Sequence, residues 1–159
     1  MFVEANDSLR TGVAIANGSA TAAAVNLELF KVDGTPSGLS GSLSIPSAGQ
    51  LALFLNEVPG FTTLPAVFQG LLRITSVNSI AVTGLSGHYN ERGDFLITTT
   101  VVQKENDPSP VSSELLFPHF VLGGGYETQF VLFSPRLQNS SGRVFFFDQN
   151  GTPMALVLR

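Results

Sequence analysis

Val25-Asn26-Leu27-Glu28-Leu29-Phe30-Lys31-Val32-Asp33-Gly34 alternates apolar and polar side chains and then meets a turn. Successive side chains of an extended chain point to opposite faces, so Val25, Leu27 and Leu29 share one face while Asn26 and Glu28 share the other. Asp33-Gly34 closes the run, because both residues tolerate positive φ, and marks a β-hairpin. The stretch just upstream, Ala20 to Leu29, is the best helical candidate in the chain, being rich in Ala. The alternation overrides it, and the stretch reads as strand.

Working outward, short strands recur between turn residues. Thr11 to Ala16 ends at Asn17-Gly18, Val25 to Val32 at Asp33-Gly34, and Leu39 to Ile45 at Pro46. Gln50 to Leu55 leads into a loop through Pro59 and Pro65 with one short helical turn. Phe68 to Ser76, Ile80 to Gly87 and Phe95 to Val102 follow. About seven strands at a spacing of roughly 8 to 12 residues are the pattern of a sandwich or barrel. The expected fold is therefore all-β, an antiparallel β-sandwich.

Gln103 to Ser113, QKENDPSPVSS, combines charge, Pro and Ser without apolar periodicity and reads as a linker. It divides the chain into a sandwich over residues 1–103, a linker over 104–113 and a further unit over 114–159. Two strands are expected in that unit, Tyr126 to Phe133 and Gly142 to Phe147, before the turn Asn150-Gly151.

The unit is a second copy of the chain's beginning. A shift of 117 residues lays Thr128 on Thr11, Phe147 on Phe30, and Gly151-Thr152-Pro153 on Gly34-Thr35-Pro36, without a gap. Val13-Ala14-Ile15 faces Phe130-Val131-Leu132, and Leu27 and Leu29 face Val144 and Phe146. The second copy stops after its first hairpin, and a two-stranded hairpin is not stable alone in water. Phe130, Val131, Leu132 and Phe133, with Val144, Phe145, Phe146 and Phe147, must therefore be covered, by the first domain, by a neighbouring subunit or by residues outside the given sequence.

Composition bounds the function. Apolar residues are 43% of the 159, enough for a sizeable core, and the 13% charged fraction is low. Low charge together with 13 Phe argues against disorder. A net charge of −4 with eight scattered Lys and Arg supplies no basic stripe, so nucleic acid is not an expected partner. With no Cys there are no disulfides or thiolate metal sites. No stretch approaches the roughly 18 to 20 apolar residues of a membrane span. Met1-Phe2-Val3-Glu4 has neither a basic start nor a long apolar run; a removed leader or an excised segment is the expectation.

FQGLLRITSVNSIAVTGLSGHYNERGDFLITTT (Phe68 to Thr100) and TGVAIANGSATAAAVNLELFKVDGTPSG (Thr11 to Gly38) resemble a recurring block of large secreted and cell-surface proteins of soil bacteria. FPHFVLGGGYETQFVLFSP (Phe117 to Pro135) with RVFFFDQNGTP (Arg143 to Pro153) resembles the opening of the next such block. The resemblance implies immunoglobulin-like β-sandwich repeats in tandem, secreted or at the cell surface. It carries no catalytic or ligand-binding residues.

Candidate chemistry is weak. His88 and His119 lack a Gly-x-Ser-x-Gly elbow, since Gly84-Leu85-Ser86-Gly87 has the wrong spacing. Glu57, Glu91 and Asp94 lie in expected loops, with nothing nearby to raise a carboxyl pKa for glycoside hydrolysis. Asp148-Gln149-Asn150-Gly151 resembles the start of a calcium loop but lacks the downstream Glu, and a hairpin turn explains it and Lys31-Val32-Asp33-Gly34 alike. Gly123-Gly124-Gly125 precedes a strand rather than the helix a phosphate cradle needs. Asn6, Asn17, Asn139 and Asn150 begin Asn-x-Ser/Thr triplets, which mark exposed loops at best. Trp is absent, and only Tyr89 and Tyr126 are Tyr, so a sugar platform is confined to the Tyr89 to Arg92 loop.

The chain is thus expected to be non-catalytic, without cofactor or metal. It reads as a structural or adhesion module that associates with like modules, building a fibre by strand addition where the contact repeats without closure. The alternative is a carbohydrate-binding accessory module of a secreted hydrolase, with glycans as partners; a small hydrolase is the weakest reading.

Overall fold

A computed structural model describes residues 1–105, 114–124, 126–132 and 142–154. Eight strands precede residue 105: β1 (Phe2–Ala5), β2 (Leu9–Asn17), β3 (Ala23–Lys31), β4 (Pro36–Ile45), β5 (Gln50–Phe54), β6 (Phe68–Ser76), β7 (Ile80–Tyr89) and β8 (Phe95–Thr100). The seven strands that the alternation predicts all form, with ends shifted by a few residues. β1 is an addition, and the predicted helical turn is a 3-10 turn at Leu55–Glu57.

All pairings are antiparallel, in the order β4-β3-β6-β1-β2-β7-β8, with β5 also on β2. β2 changes partner along one side. It meets β1 only at Ala5–Arg10, and β5 from Gly12 to Ala16, while β7 follows the other side throughout. The path therefore parts at β2 into two layers, β4-β3-β6-β1 and β5-β2-β7-β8. This is an all-β sandwich whose layers stay joined through the β1–β2 hairpin. At the corner, Thr11 Oγ1 accepts from Glu4 N (2.8 Å) and donates to Glu4 O (2.7 Å).

The core lies between the layers. Ala23, Val25, Leu27 and Leu29 of β3 are at most 1% exposed, as the period-two pattern requires. Val3 and Leu72 extend this face; Val13 and Ile15 of β2 oppose it, with Leu51, Leu53 and Val82 packed at the margin. The loop after β5 closes one end with Leu55, Val58 and Phe61, each no more than 2% exposed. Its backbone runs against β4 with no room for side chains: a Cβ on Gly41 would lie 2.1 Å from Pro59 O, and one on Gly60 2.1 Å from Ser40 O.

The hairpin expected at Asp33-Gly34 forms between β3 and β4, and one other local expectation, at Asn17, is corrected. Asp33-Gly34 belongs to a three-residue loop, in which Lys31 N donates to Thr35 O (2.8 Å) and Gly34, at φ +82°, donates back to Lys31 O (2.9 Å). Asn17 does not mark an exposed loop. It is 2% exposed, and its Nδ2 donates to Thr21 O, Ile45 O and Pro46 O while Oδ1 accepts from Ser19. A side chain that can donate and accept at once satisfies the backbone where three segments leave the sandwich. Beyond β8, Arg73 Nη2 of β6 donates to Glu105 Oε2 (2.9 Å), so the chain stays on the first unit through Glu105. The rest of the expected linker, 106–113, lies outside the described residues.

Candidate functional site

After the linker the described residues form two hairpins: β9 (Leu122–Gly123) with β10 (Tyr126–Glu127), and β11 (Phe146–Phe147) with β12 (Pro153–Met154). Among the described residues, the strands expected at Tyr126 to Phe133 and Gly142 to Phe147 thus form ladders only at Tyr126–Glu127 and Phe146–Phe147. They pair with separate partners and not with each other. The same holds in the first unit, where β2 and β3 enter opposite layers and never pair.

Both hairpins reproduce the first unit at the offset of 117. Leu122 pairs with Glu127 as Ala5 pairs with Arg10. Val121 N donates to Thr128 Oγ1 at 2.9 Å, as Glu4 N donates to Thr11 Oγ1 at 2.8 Å. Phe147 pairs with Pro153 as Phe30 does with Pro36. Asp148 N donates to Thr152 O (2.9 Å) and Gly151 N to Asp148 O (3.0 Å), matching Lys31, Thr35 and Gly34. Gly151 and Gly34 sit at φ +80° and +82°.

The two units differ in what covers the equivalent side chains. Val13, Ile15, Leu27 and Leu29 are at most 2% exposed in the first unit. Their counterparts are Phe130, Leu132, Val144 and Phe146. Leu132 is 62% and Val144 63% exposed, while Phe130 and Phe146 are half-buried. Phe130 packs on Phe117 (4.7 Å between centroids) and Phe146 on Phe120 (5.0 Å). Val131 is half-buried, and Phe145 and Phe147 are 70% and 53% exposed. Phe133 lies outside the described residues.

The remaining candidates fall into structural roles. Asp148 Oδ1 accepts from Asn150 N and Thr152 N, both at 2.8 Å, which holds its carboxyl below the usual range. Asp33 is lowered likewise, first by the Thr35 hydroxyl and then by the Thr35 N–H. Both loops are hairpin turns. Gly123 and Gly124, at φ +126° and +61°, turn β9 into β10; Gly125 lies outside the described residues. Glu57 Oε2 accepts from Phe54 N (2.7 Å) at the 3-10 turn. Asn6 Oδ1 accepts from Ser8 N and Leu9 N in the β1–β2 turn, Asn150 is exposed, and Asn139 lies outside the described residues. His119 is exposed. Among the described residues no group of three His, Asp or Glu side chains is placed to hold a metal ion.

His88 lines an open cleft of about 440 Å³ with Asn90, Glu91 and Arg92. Its Nδ1 is buried without a partner. Asn90 organises the loop by accepting from Arg92 N and Asp94 N (2.9 Å each). Beside it Tyr89 and Phe95 pack at 5.0 Å and Phe54 and Phe95 at 5.9 Å, forming an aromatic ledge.

Comparison with family models, curated proteins and solved structures finds no match. Site assignment therefore rests on the molecule alone. Sequence reasoning missed β1 and its counterpart β9. The signal was present: the offset of 117 also lays Gly123-Gly124-Gly125 over Asn6-Asp7-Ser8, turn formers over turn formers.

Proposed function

We propose that this protein is a non-catalytic structural or adhesion module of the secreted or cell-surface kind, built from immunoglobulin-like repeats and joined to like modules through its open second unit. One observation carries the reading: both hairpins of the second unit repeat the hydrogen bonds of the first, while two of their four counterpart core positions stand mostly exposed. Fully burying one such side chain gains about 1.5–3 kcal/mol, so the opening favours any partner that closes it. Low charge and the likeness of Phe68 to Thr100 to blocks of bacterial surface proteins support the setting. No helix among the described residues is long and apolar enough to cross a membrane.

Sedimentation velocity on the intact chain, on one ending at Glu105, and on a Leu132→Asn, Val144→Asn variant tests this. The shorter chain keeps all eight strands and their core. Concentration-dependent association of the intact chain alone, weakened several-fold by the double substitution, is expected. Three monomers whose sedimentation coefficients do not change with concentration would refute it.

The aromatic ledge beside the Asn90 loop supports a second reading, a carbohydrate-binding accessory module of a secreted hydrolase. A glycan array probed with the intact chain and with Tyr89→Ala checks it: binding lost in the variant supports it, and a blank array ends it.

A further inference from the structure

Asx-Gly junctions occur three times in the chain, at Asn17-Gly18, Asp33-Gly34 and Asn150-Gly151, each where a strand ends. At such a junction a chain can modify itself, because glycine has no side chain to keep its main-chain nitrogen from the preceding Cγ. The fold closes two of the three. Asn17 is 2% exposed, and its Nδ2 donates to Thr21 O, Ile45 O and Pro46 O while Oδ1 accepts from Ser19 N and Ser19 Oγ, so its amide is held away from Gly18. Asp33 offers a carboxyl group whose Oδ1 accepts from Thr35 N (2.9 Å) and Thr35 Oγ1 (2.7 Å). Those bonds keep it ionised, and a carboxylate is a poor electrophile. Asn150 is exposed, carries an uncharged amide, and belongs to a hairpin whose ladder is only Phe146–Met154 and Phe147–Pro153.

We propose that Asn150 is a site of spontaneous deamidation, through which the β11–β12 turn acquires a carboxylate with time. Gly151 N donates to Asp148 O (3.0 Å) in the closed turn, so the reaction draws on turns whose short ladder has opened. Gly151 N loses its proton to solvent and bonds to Asn150 Cγ. The Cγ–Nδ2 bond breaks, and the nitrogen leaves as ammonia after taking a proton from solvent. Water then opens the cyclic imide: attack at Cγ gives aspartate, and attack at the main-chain carbonyl carbon gives isoaspartate, with the main chain routed through Cγ. One water is consumed, one ammonia is released and nothing is oxidised. The product changes the local electrostatics. Asp148 Oδ1 already accepts from Asn150 N and Thr152 N, both at 2.8 Å. A carboxylate at position 150, the counterpart of Asp33, competes for Thr152 N and repels Asp148, raising the Asp148 carboxyl from its lowered value.

The test holds the intact chain in warm, mildly alkaline buffer, folded or in urea, and samples it over days. Trypsin releases Thr11–Lys31, Val32–Arg73 and Val144–Arg159, which carry Asn17, Asn56 and Asn150. Mass spectrometry follows amide-to-acid conversion in each, and isoaspartate, resolved from aspartate by fragmentation, marks passage through the imide. In the folded chain Asn150 is expected to convert at least about tenfold faster than Asn17, with isoaspartate among the products. Asn56, exposed but followed by Glu57, stays an amide. In urea the rates at Asn17 and Asn150 converge, and Asn150→Gln removes the conversion of its peptide. Carboxyl NMR titration of Asn150→Asp should show Asp148 raised. An Asn150 that stays an amide in the folded chain while converting in urea would overturn the proposal, because the closed turn then protects it. Equal folded-state rates at Asn17 and Asn150, or a product free of isoaspartate, would do the same. An unmoved Asp148 in Asn150→Asp would remove the competition for Thr152 N.

Discussion

Asn17 makes more hydrogen bonds than its place in a surface-like Asn-Gly-Ser triplet suggests. Three carbonyls, Thr21 O, Ile45 O and Pro46 O, take its Nδ2 at 2.8–3.1 Å. Removing the amide leaves those acceptors without it in a buried corner, where each unsatisfied group costs about 1–3 kcal/mol. Asn17→Ala is expected to lower unfolding free energy by about 2–4 kcal/mol in a urea titration of the chain; a loss below about 1 kcal/mol would mean water replaces the amide. Asp33 and Asp148 are paired probes of the turns. Their folded pKa values lie below the unfolded ones, so the unfolded chain binds more protons and their contribution is present above the ordinary Asp range. That contribution is lost as pH falls through the folded values. Thr35→Ala removes the largest cause at Asp33, and carboxyl NMR titration should show the Asp33 pKa rising towards normal while Asp148 stays low; an unchanged Asp33 would assign the shift to the backbone alone.

At the scale of elements, β6 is the strand whose identity matters most, because it is central to its layer and pairs on both sides. Gly70→Ala forces a Cβ against Phe30 O, and a packed ladder has little freedom to move. A loss of about 2–3 kcal/mol is expected from thermal unfolding, with wild-type stability refuting the contact. β8 contrasts with it. It is an edge strand with Leu96 and Ile97 51% and 58% exposed, another surface on which copies could pair. Ile97→Lys is expected to leave stability within about 0.5 kcal/mol and association unchanged. Abolished sedimentation-detected association in that variant would move the contact from the second unit to β8. The strands were legible because alternation and turn residues agree over β2 to β8, and Val25 to Leu29 alone decides the period. β1 was not, because four residues are too short to display a period. The hairpin partners of Tyr126 and Phe146 were misread because alternation gives a strand's faces and not its neighbour.

For the whole molecule, the first unit owns a closed core, while Leu132 and Val144, among the described residues after the linker, stand mostly exposed. The chain ending at Glu105 should therefore melt within a degree or two of the intact chain's main transition, observable by calorimetry; a large drop would mean the second unit braces the first. Composition, alternation and the 117-residue offset were sufficient for the all-β class, the order of strands along the chain and the recurrence of the first turns, because these depend on local spacing. Which strands become neighbours, that β2 divides its side between β1 and β5, that Asn17 is buried, and that Leu132 and Val144 are left open were decided only in three dimensions. Those outcomes depend on which backbone edges and side-chain faces meet across the fold, a relation between distant residues that no local pattern encodes.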